Sequence, residues 1–125
     1  MLYSLSIALG GALGALSRYW AMHYIALLLP TRLPWGTFAV NALGSLLIGI
    51  FYVLVAEKVS VPEQWRAIIL VGYLGAFTTF STFSLDALLL ILDGHYIQAF
   101  GYVLASVVIC ILAAGMGISL MRAFY

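Results

Sequence analysis

Hydroxyl-bearing side chains are concentrated in one short run of an otherwise apolar sequence. Five of the seven residues from position 78 to position 84 carry a hydroxyl group, namely Thr78, Thr79, Ser81, Thr82 and Ser84. A single Ser or Thr in a helix usually bonds to the carbonyl one turn earlier and has only a structural role. Several such residues close to glycines weaken a regular helix, so the run predicts a helix break. Within a membrane, the carbonyl groups that such a break frees form a cation site.

Two phenylalanines in the same run, Phe80 and Phe83, lie on one side of a helix because they are three residues apart. Most aromatic pairs at this spacing only pack against their neighbours. The alternative is chemical, since the edge of a phenyl ring is electropositive and two such edges stabilise a small anion. Binding of that kind is weak, and conduction requires weak binding at several sites. From these residues alone, both interpretations stay open.

Neutral hydrogen-bonding groups also occur in two other apolar stretches. The side-chain amide of Asn41 donates two hydrogen bonds, and Gly44 nearby allows another helix or a ligand to approach closely. Tyr102, Ser106 and Cys110 follow one another at a spacing of four and form a stripe along one helix face. Contact between helices explains each feature as well as ion binding does.

Charged side chains are rare within the apolar stretches. Arg18 either extends to the membrane surface or attracts anions into a vestibule. Asp86 is an interfacial residue, a partner for a hydroxyl group, or a buried carboxylate. His23 and His95 have no second ligand at a metal-binding spacing, so neither is assigned to a metal.

The composition indicates which kind of element must position these residues. The chain has 125 residues, of which 66% are hydrophobic and 7% are charged, whereas soluble domains carry about 25% charged residues. The apolar surface must therefore contact lipid. A net charge of +1 without a basic cluster argues against nucleic acid as a partner. No nucleophile has a neighbouring histidine, so the sequence does not predict an enzyme.

Four apolar stretches predict an all-α integral membrane protein with a single transmembrane domain, 1–125. The predicted spans are approximately 2–29, 35–56, 65–92 and 96–121. Pro30 and Pro34 separate the first two, and the spacing of Ser60 and Glu63 predicts a capping box before the third. The first stretch is longer than the apolar core of a secretion signal and lacks a preceding basic residue, so we expect it to be retained.

The basic residues near the ends of the spans give a weak orientation signal. Lys58, Arg66 and Arg122 fall on the side that also holds both termini, whereas Arg32 and, further inside, Arg18 fall on the other. Such a balance permits insertion in both orientations and hence an antiparallel dimer. The alternative is a single orientation with the side of three charges in the cytoplasm.

Taken together, these motifs make the chain similar to the CrcB family of fluoride channels, also called Fluc. The resemblance covers nearly the whole length and is strongest in the runs 10–19, 36–45 and 75–84. It implies a four-helix protein of the bacterial inner membrane whose third helix is broken mid-membrane. It also implies an antiparallel, dual-topology homodimer with two fluoride pores and one structural sodium ion at its centre. The implied activity is passive, fluoride-selective export from the cytoplasm.

The resemblance also implies roles for particular residues. Phe80 and Phe83 would present their ring edges to fluoride, and Asn41 would donate a hydrogen bond to it. The other expected pore residues are Tyr102, Ser106, Thr37, Ser81 and Thr82. Main-chain carbonyls of Gly75 and Thr78, from both subunits, would bind the sodium ion. Arg18 would belong to the aqueous vestibule.

Two positions depart from the family pattern. Cys110 stands where a serine is common, and a thiol is a weaker donor than a hydroxyl. Asp86 stands where glutamate is common, and its side chain is one methylene shorter.

Two other classes of function remain open from the sequence. A small proton-coupled drug exporter has a similar length, but it needs a membrane-embedded carboxylate and the first two spans contain no Asp or Glu. Asp86 could serve that purpose only if it lies deep in the membrane. A non-transporting subunit that scaffolds a larger complex is also compatible with the composition.

Overall fold

The computed structural model describes residues 1–125, and every regular element in it is a helix. The prediction of an all-α protein is therefore confirmed. The helices are α1 (Leu2–Leu28), α2 (Trp35–Tyr52), α3 (Glu63–Arg66), α4 (Gly75–Phe77), α5 (Phe80–Leu92) and α6 (Tyr96–Phe124). Helix α2 continues as a π-helical stretch, Val53–Lys58, and a second π-helical stretch, Ala67–Leu74, joins α3 to α4. These elements make up four long helical segments.

Three of the four segments are long and apolar enough to cross a membrane, and they are Trp35–Lys58, Glu63–Leu92 and Tyr96–Phe124. Helix α1 is not among them, although the sequence predicts that it spans. Its 27 residues extend about 40 Å at 1.5 Å per residue, which exceeds the thickness of a hydrocarbon core of about 30 Å. Its hydropathy is lower because it includes Arg18, His23 and several serine and tyrosine residues.

The outer surface of the helices is apolar. Only 21 of the 125 residues are buried, and large aliphatic side chains such as Leu13, Ile97 and Ile111 are mostly exposed. A soluble protein does not present apolar surface on this scale. The surface is therefore suited to contact with lipid.

Glycines bring helix α1 against the π-helical stretch 67–74. A Cβ atom at Gly14 would overlap the main chain of Tyr73, and one at Gly72 would lie 2.7 Å from the carbonyl oxygen of Ile7. The two segments thus touch backbone to backbone, which is typical of small-residue contacts between membrane helices. Helices α2 and α6 make a similar contact, in which a Cβ at Gly117 would lie 3.0 Å from the amide nitrogen of Ile50.

Helices α5 and α6 pack through a small apolar cluster of Phe83, Ala87, Leu90, Ala99 and Tyr102. The larger side chains that are almost completely buried are Leu74, Val40, Val53 and Thr37. The core is small because most side chains point outwards.

The helical conformation is interrupted at Thr78 and Thr79, which we call the extended pair. Thr78 has φ −88° and ψ 157°, and Thr79 has φ −151° and ψ 115°. The Thr78 hydroxyl donates to the carbonyl oxygen of Leu74 at 3.0 Å, and the Thr79 side chain caps α5 by accepting from the Thr82 amide. Helix α5 therefore starts anew after the pair.

The predicted capping box is wrong. Helix α3 begins at Glu63 with Pro62 as its N-cap residue, and no side chain caps it. A capping box requires Ser60 to be the N-cap residue. Pro62 holds that position, so Ser60 lies two residues before it and does not bond to the first turn. At the same end of the molecule, Arg122 forms a bidentate ion pair with Glu57, with the shorter N···O distance at 2.6 Å.

Candidate functional site

The side chain of Asn41 binds the main chain of the extended pair. Its Oδ1 accepts a hydrogen bond from the amide of Thr79 at 2.7 Å, and its Nδ2 donates to the carbonyl oxygen of Thr79 at 2.9 Å. An unpaired main-chain group in a low-dielectric interior is costly, so this contact compensates for the lost helical bonds. The second hydrogen of Nδ2 remains free to bind a ligand.

The hydroxyl groups of the run gather around Thr79. Its Oγ1 donates to the Thr82 hydroxyl at 3.1 Å, accepts from the Thr82 amide at 3.2 Å and lies 3.3 Å from the Ser81 hydroxyl. This is the arrangement of a helix N-cap. Ser81 and Thr82, two of the predicted pore residues, therefore lie at the N-cap of α5, and their place along the pore stays a prediction.

A cavity of about 340 Å³, which we call the central cavity, lies beside the extended pair. Four of the predicted pore residues line it, namely Asn41, Phe80, Phe83 and Ser106. No charged side chain is among its lining residues. Its polar groups are neutral amide, hydroxyl and thiol groups, which bind an anion without the strength of an ion pair.

The two phenylalanines form adjacent walls of the central cavity. Their ring centroids are 5.4 Å apart and the rings are inclined at 46°. Phe80 is 77% exposed, whereas Phe83 is buried and lies 5.2 Å from the ring of Tyr102. Because the rings are tilted rather than stacked face to face, their electropositive edges are available to a small anion.

Ser106 carries the one buried side-chain polar atom of the chain that lacks a hydrogen-bond partner. The residue is 5% exposed, and it lines the central cavity. Leaving a buried hydroxyl unpaired costs about 1–3 kcal/mol. The unpaired oxygen is therefore available to a polar molecule or ion that enters the cavity.

Two other predicted pore residues, Tyr102 and Thr37, lie outside the central cavity, and their pore role stays a prediction. Tyr102 is buried behind Phe83 and does not line the central cavity, because its hydroxyl donates to Oδ2 of Asp86 at 3.3 Å. Asp86 is therefore the partner of a hydroxyl group, one of the three roles predicted for it. Thr37 is also buried, and it is not among the residues that line the central cavity.

A second, polar cavity of about 500 Å³ lies at the end of α5. Asp86 and Asp93 line it together with Arg32 and His95, whose Nη1 and Nε2 atoms are 3.0 Å apart. Side-chain contacts link this cavity to the central cavity. Asp86 accepts a hydrogen bond from Tyr102, and the Tyr102 ring packs against the ring of Phe83.

The guanidinium group of Arg18 points into the protein. Its Nη1 donates to the carbonyl oxygen of Thr78 at 3.3 Å. The resemblance places Arg18 in a vestibule, and the sequence alone also allows an extension to the membrane surface. In the structure its cation contacts the extended pair, and the vestibule role stays a prediction.

The carbonyl groups of Gly75 and Thr78 fit a hard cation. The amide that would pair with Gly75 in a continuous helix belongs to Thr79, which donates to Asn41 instead. The corresponding amide for Thr78 belongs to Thr82, which donates to the Thr79 hydroxyl. Freed carbonyls of this kind bind Na⁺ in membrane proteins. The Thr78 oxygen accepts from Arg18 and keeps a second lone pair.

The sequence places Thr79 in the hydroxyl run but gives it no pore role, and it predicts a close approach at Gly44; both residues line the central cavity. Thr79 lines the central cavity and is the partner of Asn41. A Cβ atom at Gly44 would overlap the Thr78 methyl group and lie 3.3 Å from the ring of Phe77. A threonine three residues before a second hydroxyl, at the start of an apolar helix, is the N-cap signal that could have identified Thr79.

Three segments able to span a membrane, an apolar exterior and a cavity without charged residues define a small helical integral membrane protein. Residues 5–118 match the family model described as CrcB-like protein, Camphor Resistance (CrcB). The chain belongs to this family.

Relatives along nearly the full length support the assignment. A protein of Hahella chejuensis is 47% identical over 116 residues, covering 93% of this chain and 91% of the relative. One of Saccharophagus degradans is also 47% identical, covering 93% and 86%. One of Rhizobium leguminosarum bv. trifolii is 40% identical over 123 residues, covering 98% of both chains. Each of these relatives is named a fluoride-specific ion channel FluC.

Replacing Asn41 with alanine is expected to destabilise the fold by about 1–3 kcal/mol, because it leaves both main-chain groups of Thr79 unpaired. The measurement is unfolding by denaturant in mixed micelles, followed by tryptophan fluorescence. Ser45→Ala is the matched control, since Ser45 lines the same cavity one turn further along α2. Equal stability of the two variants would contradict the structural role of Asn41.

Proposed function

We propose that the protein is a fluoride-selective ion channel, and that it passively exports fluoride from the cytoplasm of a bacterium across the inner membrane. The observation that carries the proposal is the central cavity, in which the unpaired Ser106 hydroxyl, the Asn41 amide and two tilted phenyl rings meet without a charged residue. The names of the relatives support the same activity. The protein is a channel and not an enzyme.

The lining of the central cavity matches the chemistry of the ion. Fluoride is small and strongly hydrated, so a selective path must replace its water molecules with hydrogen-bond donors. Asn41 offers one free hydrogen and Ser106 offers its hydroxyl, while Phe80 and Phe83 offer ring edges. A lysine or arginine in this cavity would hold the anion too tightly, whereas neutral donors allow it to leave.

The direction of transport follows from acid–base chemistry. Hydrogen fluoride crosses membranes uncharged and dissociates at the near-neutral pH of the cytoplasm, which traps the anion inside. A membrane potential that is negative inside then favours exit by about 2.3 kcal/mol per charge per 100 mV. Export therefore needs no coupled energy source.

The assembly that we propose is an antiparallel homodimer with two pores. A single chain leaves most of its apolar surface exposed and keeps Phe80 at the open side of the central cavity. A second copy would cover that side. The three basic residues near one end of the spans and the two towards the other leave the orientation nearly balanced, which favours insertion both ways.

A structural sodium ion between the two subunits is the further element of this proposal. The carbonyl oxygens of Gly75 and Thr78 would hold it, because neither accepts its usual helical hydrogen bond. Gly75 is exposed in the single chain, so its carbonyl is accessible to a second copy. A sodium ion held there would offset the partial negative charges on carbonyl oxygens of two opposed chains, and so would stabilise their contact.

The channel is tested by anion efflux from liposomes that contain the purified protein. We expect fluoride to leave rapidly and chloride to be retained. Phe80→Ile should reduce fluoride efflux by about tenfold or more, because an aliphatic side chain has no electropositive edge. Phe100→Ile is the matched control, since Phe100 on α6 is similarly exposed, at 70%, and does not line the cavity.

Equal efflux of chloride and fluoride, or efflux of neither, would refute the channel. Unchanged fluoride efflux in Phe80→Ile and also in Phe83→Ile would refute the role of the rings.

Dual topology is tested with an affinity tag at the C-terminus, scored for accessibility from each side of the membrane. We expect labelling from both sides in roughly equal amounts, because the chain has little orientation bias. Adding three lysines after Arg122 should shift the labelling towards one side. A tag that the unmodified protein exposes on one side only would exclude an antiparallel dimer.

The sodium site is tested by exchanging sodium for the bulky cation N-methylglucamine throughout purification. We expect the dimer to dissociate at a lower temperature in N-methylglucamine than in sodium. Without a bound cation, the opposed carbonyl oxygens of the two chains repel one another. Potassium at the same ionic strength separates a size-selective site from a general salt effect. Identical dissociation temperatures in all three salts would count against the site.

A further inference from the structure

Cys110 places the only thiol of the chain on the wall of the central cavity. It is partly buried, forms no disulfide, and lies one helical turn after Ser106 on α6. The other lining groups are an amide, hydroxyls, phenyl rings and aliphatic carbons. Among these, only a thiol reacts readily with soft electrophiles.

The unpaired hydroxyl of Ser106 indicates that this part of the cavity receives a polar guest. Its oxygen is buried and has no partner in the protein, and the residue lines the same cavity as Cys110. A small molecule that reaches this hydroxyl therefore comes within one helical turn of the thiol. A reagent that is small enough to enter the cavity can therefore contact both Ser106 and Cys110.

We propose that Cys110 is a modification site for small, soft electrophiles, of which a monofunctional mercury(II) compound is the representative, and that its adduct blocks fluoride passage. The blockage rests on the proposed function, since it requires the central cavity to lie on the fluoride path. The modification itself rests only on the cavity and the thiol.

The reaction with methylmercury chloride is balanced without any further reactant. The sulfur of Cys110 forms a bond to mercury, the mercury–chlorine bond breaks, and the thiol proton and chloride leave to solution. No group is oxidised or reduced. The reagent is neutral and small, so a cavity without charged residues offers no electrostatic barrier to it.

The adduct obstructs the cavity for a steric and a chemical reason. A methylmercury group replaces the thiol hydrogen and occupies the space beside the Ser106 hydroxyl. It also presents a methyl surface where fluoride would otherwise meet hydrogen-bond donors. An apolar constriction of this kind stops a strongly hydrated ion.

The experiment uses the whole protein in liposomes, with and without methylmercury chloride, and compares each variant with its own untreated efflux. In the chain without a substitution, we expect methylmercury to lower fluoride efflux by about tenfold or more. Efflux should recover when excess dithiothreitol removes the mercury. The mass of the intact protein should increase by one adduct per chain. Cys110→Ser is the matched control, because it keeps a polar group but has no thiol, and Cys110→Ala serves in the same way if the serine variant does not fold.

Each result decides a distinct part of the proposal. An adduct that forms only after denaturation shows that the folded cavity excludes the reagent and overturns the modification site. An adduct without loss of efflux, or equal inhibition of Cys110→Ser, overturns the blockage. If the untreated protein passes no fluoride, the proposed function fails, and the mass measurement still decides whether Cys110 is modified in the folded protein.

Discussion

The pairing of Asn41 with the main chain of Thr79 is the interaction on which the site depends. Two consecutive residues leave the helical conformation in the interior of a small membrane protein, where free amide and carbonyl groups are costly. One amide side chain satisfies both groups of Thr79. The carbonyls of Gly75 and Thr78 are thereby left without helical partners, α5 starts with a fresh N-cap, and Phe80 and Phe83 face the cavity. Asn41 therefore stabilises the helix break through its bonds to Thr79. Only the second hydrogen on its amide nitrogen is left to bind an ion.

The polar groups of the site divide into those that are already paired and those that are not. Ser81 and Thr82 cap a helix with Thr79, and Tyr102 donates to Asp86. Ser106 has no partner. A hydroxyl that already donates, such as that of Tyr102, must give up its hydrogen bond before it can bind an anion, whereas the Ser106 hydroxyl and the free hydrogen of Asn41 can donate as they are. The number of hydroxyls in the sequence therefore overstates the number available for binding.

The sequence was sufficient for some features of this molecule and insufficient for others, for physical reasons. The helical segments follow from long apolar runs, and the family follows from the motifs around Asn41 and Phe80. The positions of Thr37 and Tyr102 could not be predicted, because whether a hydroxyl faces a cavity or a neighbouring side chain depends on helix rotation. The capping box failed since Pro62 occupies the N-cap position. Helix α1 shows that length alone does not make a segment strongly apolar.

The glycine contact between α2 and α6 bears on the width of the central cavity. A Cβ atom at Gly117 would lie 3.0 Å from the amide nitrogen of Ile50, so the two helices touch backbone to backbone there. The same two helices supply lining residues of the central cavity, among them Asn41 from α2 and Ser106 from α6. Because main-chain atoms set the separation of these helices, the side chains that face outwards can change without altering the width of the cavity.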